Sequence, residues 1–170
     1  NPVKMLEIGL GCTMSYGPGR SAWMWREYFT HPRAELWFSE VDEQCARRFN
    51  ASLSGRVLVG NASMTKTLQQ WVKSTGSGLF DFIIDDGSHT SNDQLRAVRT
   101  LLPSLKPGGV FFIEDLHYQR DFEQDHSHAL EKLRSWILDL TASRRVNPTQ
   151  ESWRRIPASI RSIDCFHDMC

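Results

Sequence analysis

Short apolar runs alternate with amphipathic stretches along most of the chain. Val3 to Ile8, Glu35 to Ser39, Arg56 to Gly60, Phe80 to Ile84 and Val110 to Ile113 are brief runs rich in β-branched and aromatic residues, and they predict five buried strands. Helical spacing between them predicts helices over Ser21 to Phe29, Glu43 to Phe49, around Leu68 to Val72, and over Ser91 to Leu105. Trp23, Met24 and Tyr28 read as apolar positions of the first helix, and Leu95, Val98, Leu101 and Leu102 as those of the fourth. Asp42 is placed to cap the second helix. Lys106-Pro107-Gly108-Gly109 reads as a turn, His128 to Leu140 as a further amphipathic helix, and Ile160 to Phe166 as a sixth strand. Strands alternating with helices imply a mostly parallel, doubly wound, Rossmann-like α/β sheet with right-handed crossovers and helices on both faces. One domain over 1–170 accommodates these elements. The sequence opens without methionine just before a strand and stops soon after a mixed run. It therefore reads as an excerpt, cut near the last strands.

Composition narrows the function classes. Twenty basic and twenty acidic residues cancel, so no basic footprint for nucleic acid is present. No apolar run is long enough to span a bilayer, and no signal peptide is visible. A small-molecule partner is expected, with no nucleic acid and no membrane contact from this segment. A homo-oligomer is compatible with the composition, and a cytoplasmic location is the default. Cys12, Cys45, Cys165 and Cys170 form no C-x-x-C pair and no zinc spacing with histidine, and they are expected to be reduced, packed thiols.

In an open parallel sheet, ligands bind beyond the carboxyl ends of the strands. Those ends carry the informative residues. Gly9 and Gly11 follow the first strand, where glycine permits a tight turn and close approach of a ligand. A dinucleotide fold would place a third glycine near position 14, where Met14 stands. Glu7 would repel a pyrophosphate and suits a cationic group, such as an amine or a sulfonium. Glu40 ends the second strand, where a carboxylate can accept both hydroxyls of a ribose. Asp42 competes for that role but suits the helix cap better. A plain strand-to-helix turn and two solvated acids are the bland alternatives.

Asp85-Asp86-Gly87-Ser88-His89 and Ile113-Glu114-Asp115 are the sharpest features. If the fourth and fifth strands are neighbours, their ends lie roughly 5 Å apart. Four carboxylates then crowd one rim. Some must be protonated, turned to water or bound to a cation, and oxygen ligands favour magnesium, calcium or manganese. A bland arrangement also exists, in which one acid of each pair faces water or caps a helix.

This combination resembles the class I S-adenosylmethionine-dependent methyltransferases over Val3 to about Tyr118. The Glu7-Ile8-Gly9-Leu10-Gly11-Cys12 loop looks like that family's first motif, and Ser39-Glu40-Val41-Asp42 like its second. Gly60-Asn61-Ala62-Ser63 lies where the family often has Gly-Asp. The Asp-Asp-Gly-Ser-His, Pro-Gly-Gly and Ile-Glu-Asp runs, with Tyr16-Gly17-Pro18-Gly19, resemble metal-dependent macrolide and sugar O-methyltransferases and cephalosporin-biosynthesis relatives. The resemblance implies S-adenosyl-L-methionine as cofactor, touched by Glu7, Gly9, Gly11, Glu40, Asn61, Ala62 and Asp85. It implies Mg2+ or another hard divalent cation on Asp86 and Asp115, with Glu114 a further ligand or neighbour. His89 would be the general base for methyl transfer to a hydroxyl of a small or glycosylated molecule, of the kind made in secondary metabolism. In the sugar enzymes one more acid, outside these motifs, completes the site, and no position here is matched to it.

Other residues attract blander readings. His126 and His128 stand beside Glu123 and Asp125 at a helix start, which favours a solvated terminus over a metal pair. The six tryptophans read as packing or partly exposed surface, and Arg154-Arg155 as surface. Tyr16 and Tyr118 flank the cleft and would line an acceptor pocket. Two rival functions stand beside the transferase: a non-catalytic nucleoside-binding or interaction domain of the same fold, and an NAD-dependent oxidoreductase, which Met14 and Glu7 disfavour.

Overall fold

The structure is a computed structural model that describes residues 2–76, 79–116, 128–141, 157, 159–166 and 169–170. Its five strands are β1 (Lys4–Ile8), β2 (Glu35–Glu40), β3 (Val57–Val59), β4 (Phe80–Asp85) and β5 (Leu105–Ile113). All pair in parallel, in the order β3-β2-β1-β4-β5. The helices are α1 (Arg20–Tyr28), α2 (Glu43–Asn50), α3 (Thr65–Ser74), α4 (Ser91–Leu101) and α5 (His128–Thr141). The expected doubly wound sheet is present. Its strand order reverses beside β1, so the tips of β1 and β4 flank the crevice where such sheets bind ligands.

Alternation along β1 sends neighbours to opposite faces. Met5 joins Ala22 of α1, Leu36, Phe38, Leu53 and Ile84 in one core layer. Leu6 and Ile8 join Leu68 and Trp71 of α3 and Ala97 and Leu101 of α4 in the other. Helices therefore cover both faces. A file of aromatic rings crosses the first face, Trp25 on Phe29, Phe29 on Phe82 and Phe82 on Phe112, with centroids 5.8, 6.0 and 6.4 Å apart. The inward side of α1 and its C-cap is thus buried Ala22 with partly buried Trp25 and Phe29, while Trp23, Met24 and Tyr28 are exposed. Apolar character alone did not identify the face. A third cluster, of Val98, Ile113, Leu116, Leu133 and Trp136, holds α5 against α4 and β5.

Three sequence expectations change. The fourth helix ends at Leu101, and Leu102–Ser104 is a 3-10 turn, because Pro103 lacks the N–H that an α-helix would need there. Lys106 to Gly109 is not a free turn. It is a bulge within β5, since Leu105 faces Phe80 while Val110 already faces Phe82. A side chain on Gly109 would stand 3.0 Å from both Lys106 O and Phe80 O, and Lys106 Nζ meets Asp81 Oδ2 at 2.7 Å. Asp81 is held below the usual carboxylate range: burial pushes it up, but Lys106 and the Lys4 backbone N–H outweigh that. Finally, Ile160 to Phe166 is not a strand. Ile160 and Ile163 pack on the third cluster, and it is Cys170 that exchanges backbone hydrogen bonds with Ile113, at 2.7 and 3.2 Å. Among the described residues no helix is long and apolar enough to cross a membrane.

The switch point is closed by Gly9. Its φ is +100°, and a Cβ there would lie 2.1 Å from the Asp86 backbone oxygen. Here the missing side chain admits a neighbouring strand tip. Gly9→Ala should cost about 2–4 kcal/mol, from the left-handed φ and the overlap together, read as a drop in the denaturation midpoint.

Candidate active site

The register brings the acidic tips together. Ile8 pairs with Asp85, and Asp85 with Ile113. Past the strand ends the ladder continues: Asp86 N–H donates to Ile8 O at 3.0 Å and Glu114 N–H to Asp85 O at 3.0 Å. Asp86 and Glu114-Asp115 therefore emerge side by side. His89 and Asp115 both take left-handed backbone angles, φ 58° and 54°, which non-glycine residues adopt rarely. These reversals accompany a tight triangle. Ligand atoms of Asp86, His89 and Asp115 all lie within 4.8 Å of one another. His89 Nε2 is 3.9 Å from Asp86 Oδ1 and 3.6 Å from Asp115 Oδ2. The two carboxylate oxygens suit a small hard cation, and the imidazole Nε2 stands at its edge. Glu114 is half-buried beside the triangle rather than a member of it.

The electrostatics follow from this crowding. Burial raises the Asp86 carboxyl to about 6, and the charge of Asp115 adds to the rise. Asp85 is raised to about 7, first by burial and then by Asp86 and Asp93, against the lowering effect of the Gly87 N–H. Glu114 is raised by burial, Asp86 and Asp115. Glu7 is raised to about 7 by burial, opposed by the Ser21 hydroxyl and the Trp25 indole. Ser21 Oγ, on α1, donates to Glu7 Oε1. Glu7 Oε2 and Asp85 Oδ2 are buried and accept no hydrogen bond among the described residues. Buried carboxyl oxygens without donors, together with a shared negative field, are what a cationic ligand would relieve.

Glu40 lies at the β2 tip with its carboxylate already oriented. Oε1 accepts the N–H groups of Val41 and Asp42 at 2.8 and 3.1 Å, and Oε2 accepts Cys12 N–H at 3.3 Å. Asp42 caps α2, as expected, accepting Cys45 N–H at 3.0 Å. Asn61 Oδ1 accepts Ser63 N–H at 2.8 Å in a local turn, so this carbonyl is partly committed. Ala62 packs against the core layer of α3, and Tyr16 is exposed. Tyr118, Glu123, Asp125, His126, Trp153, Arg154 and Arg155 lie outside the described residues, as does the side chain of His128.

The cysteines depart from expectation. All four are paired: Cys12 with Cys45, and Cys165 with Cys170. Cys12 lies in the glycine loop after β1, and Cys45 in the first turn of α2 after β2. Adjacent parallel strands put these loops at one rim, which a separation of 33 residues conceals. The bond joins the two loops, and one of its cysteines, Cys12, donates its backbone N–H to Glu40. Ser21 and this clasp are parts of the site that sequence reasoning missed. Both are contacts between elements and carry no local spacing signal.

A family described as "Methyltransferase domain" matches residues 16–116. The chain belongs to this methyltransferase family. An 8-demethyl-8-(2-methoxy-alpha-L-rhamnosyl)-tetracenomycin-C 3'-O-methyltransferase from Streptomyces olivaceus is 34% identical over 68% of the chain, a match that spans 28% of that protein. Mycinamicin VI 2''-O-methyltransferase from Micromonospora griseorubida is 30% identical over 67% of the chain and 27% of its own length. The matched part is thus under a third of these relatives. The solved MycE methyltransferase of the mycinamycin biosynthetic pathway, in complex with Mg and SAH, superposes with a TM-score of 0.75 over 99% of this chain and 44% of its own. Its 23% identity speaks for the fold.

Two predictions follow from the geometry of this methyltransferase domain. Glu7, Asp85 and Asp86 rise from ordinary values of 4.5, 3.8 and 3.8 to about 7, 7 and 6. A raised acid favours folding while it is protonated. Without added cations, the contribution of these three acids to stability should be full below about pH 4, be lost progressively between about pH 4 and 7 and level off above, as followed by thermal melting. Second, replacing both Cys12 and Cys45 by serine should cost about 3–4 kcal/mol, the loop-closure value for a separation of 33 residues. Chemical denaturation without reductant measures it.

Proposed function

We propose that this chain binds S-adenosylmethionine and transfers its methyl group to a hydroxyl oxygen of a small or glycosylated acceptor, assisted by a hard divalent cation. The observation that carries this reading is the Asp86–His89–Asp115 triangle at the tips of β4 and β5, next to the switch point. The sugar O-methyltransferase names of the relatives support the acceptor class, and the Mg and SAH bound to the solved neighbour support the cofactors.

Asp86 and Asp115 would hold the cation, with Glu114 beside them. A divalent cation lowers the pKa of a hydroxyl coordinated to it. Glu40 is the ribose acceptor: three backbone N–H groups orient its carboxylate, leaving lone pairs for hydroxyl donors. Gly9 and Gly11 shape the cradle, and Asn61 and Ala62 stand at the rim for the base. Glu7 and Asp85 supply negative charge toward the amino and sulfonium groups. His89 is the general base. Its Nε2 takes the acceptor proton as the oxygen attacks the methyl carbon, the new C–O bond forms and the C–S bond breaks, leaving a neutral thioether. Most of the acceleration comes from holding oxygen and methyl carbon at contact distance.

Calorimetric titration of S-adenosylmethionine, with and without Mg2+, tests the assignment on wild type and Asp86→Ala. Magnesium affinity should drop more than about tenfold in the variant, while cofactor binding largely persists. Equal magnesium affinity in both proteins removes Asp86 from the site. Thermal stabilisation by NAD and not by S-adenosylhomocysteine would replace the transferase reading with an oxidoreductase.

A further inference from the structure

Gln94 occupies a place on α4 where an apolar residue is expected. It shares the buried stripe with Ser91, Leu95, Ala97, Val98 and Leu101, and it is only 1% exposed. A buried primary amide is costly unless its hydrogen bonds are made. Its Nε2 donates to the backbone oxygen of Glu114 at 3.0 Å, across 20 residues of sequence. The peptide units around Glu114 are therefore gripped from two sides. The Glu114 N–H is spent on Asp85 O of β4, and its carbonyl receives the amide from α4.

The consequence lies one residue further on. Asp115 follows the gripped carbonyl and takes the left-handed φ of 54°, a conformation that persists in a non-glycine residue only where its surroundings hold it. His89, with its φ of 58°, lies at the other end of the same construction, immediately before Thr90, whose carbonyl accepts the backbone N–H of Gln94 at 3.0 Å. Gln94 thus ties the loop carrying His89 to the strand tip carrying Asp115. We propose that Gln94 is a positioning residue for the cation site: its amide brace from α4 to Glu114 O sets the separation of Asp115 from His89 and Asp86. This rests on the cation reading above.

Mn2+ alone is the probe, with binding and ligand-field symmetry followed by electron paramagnetic resonance. Wild type, Asp86→Ala, Gln94→Met and Gln94→Asn are compared as full chains, and S-adenosylhomocysteine affinity is titrated separately on each. Methionine keeps the volume and removes the donor, whereas asparagine keeps an amide one methylene too short. Both Gln94 variants should bind Mn2+ about tenfold more weakly than wild type, with a broadened spectrum and S-adenosylhomocysteine affinity within about twofold, a split that a general loss of folding would not give. If wild type binds Mn2+, Asp86→Ala loses it, and the folded Gln94 variants match wild type in affinity and spectrum, the brace has no positioning role while the cation reading stands. If wild type itself fails to bind Mn2+, the cation reading falls and the proposal with it. Gln94→Asn keeps the test decisive should Gln94→Met fail to fold.

Discussion

Carboxyl groups wholly or partly withdrawn from water dominate this domain. Glu7, Asp85, Asp86 and Glu114 are all pushed above their ordinary values, and in each case burial is the leading cause. A single-layer sheet has few ways to bury acids without pairing them, and no lysine or arginine of the described residues bonds to these four. Their desolvation costs free energy that a nearby positive charge would offset.

The sheet supplies the geometry by adjacency. Because β1 lies between β2 and β4, the glycine loop meets Glu40 on one side and Asp86 on the other. Because β5 follows β4, the second acidic tip is one strand further along the same rim. The glycine loop and the oxygen-rich corner thus share one rim of the sheet. The Cys12–Cys45 clasp and the Ser21–Glu7 bond stiffen the cradle half. The buried amide of Gln94 stiffens the corner half.

The bulge in β5 illustrates how tertiary context rewrites local signals. Pro107, Gly108 and Gly109 carry every mark of a turn, yet the chain stays in the sheet, because Lys106 finds Asp81 and the backbone of Gly109 fits against Phe80 and Asp81 with no side chain in the way. On α1 and its C-cap the same kind of override appears: three large apolar residues face outward, while a small alanine and two other aromatics pack on the core layer.

What the amino-acid order determined is what short-range physics can read. The period of the strands, the Asp42 cap, the glycines after β1 and the acid-rich strand ends all depend on neighbours in sequence, and the alternation of strand and helix sufficed to imply a parallel sheet with its ligand rim at the carboxyl ends. Tertiary structure decided the remainder. Which acids converge, which of them lose water, and that Glu114 stands beside the triangle depend on register between β4 and β5. The Cys12–Cys45 bond, the Ser21 and Gln94 contacts and the fate of Ile160 to Phe166 depend on elements far apart in sequence. Such contacts form only after the sheet has brought its loops to one rim, and nothing in the local pattern records the distances that result.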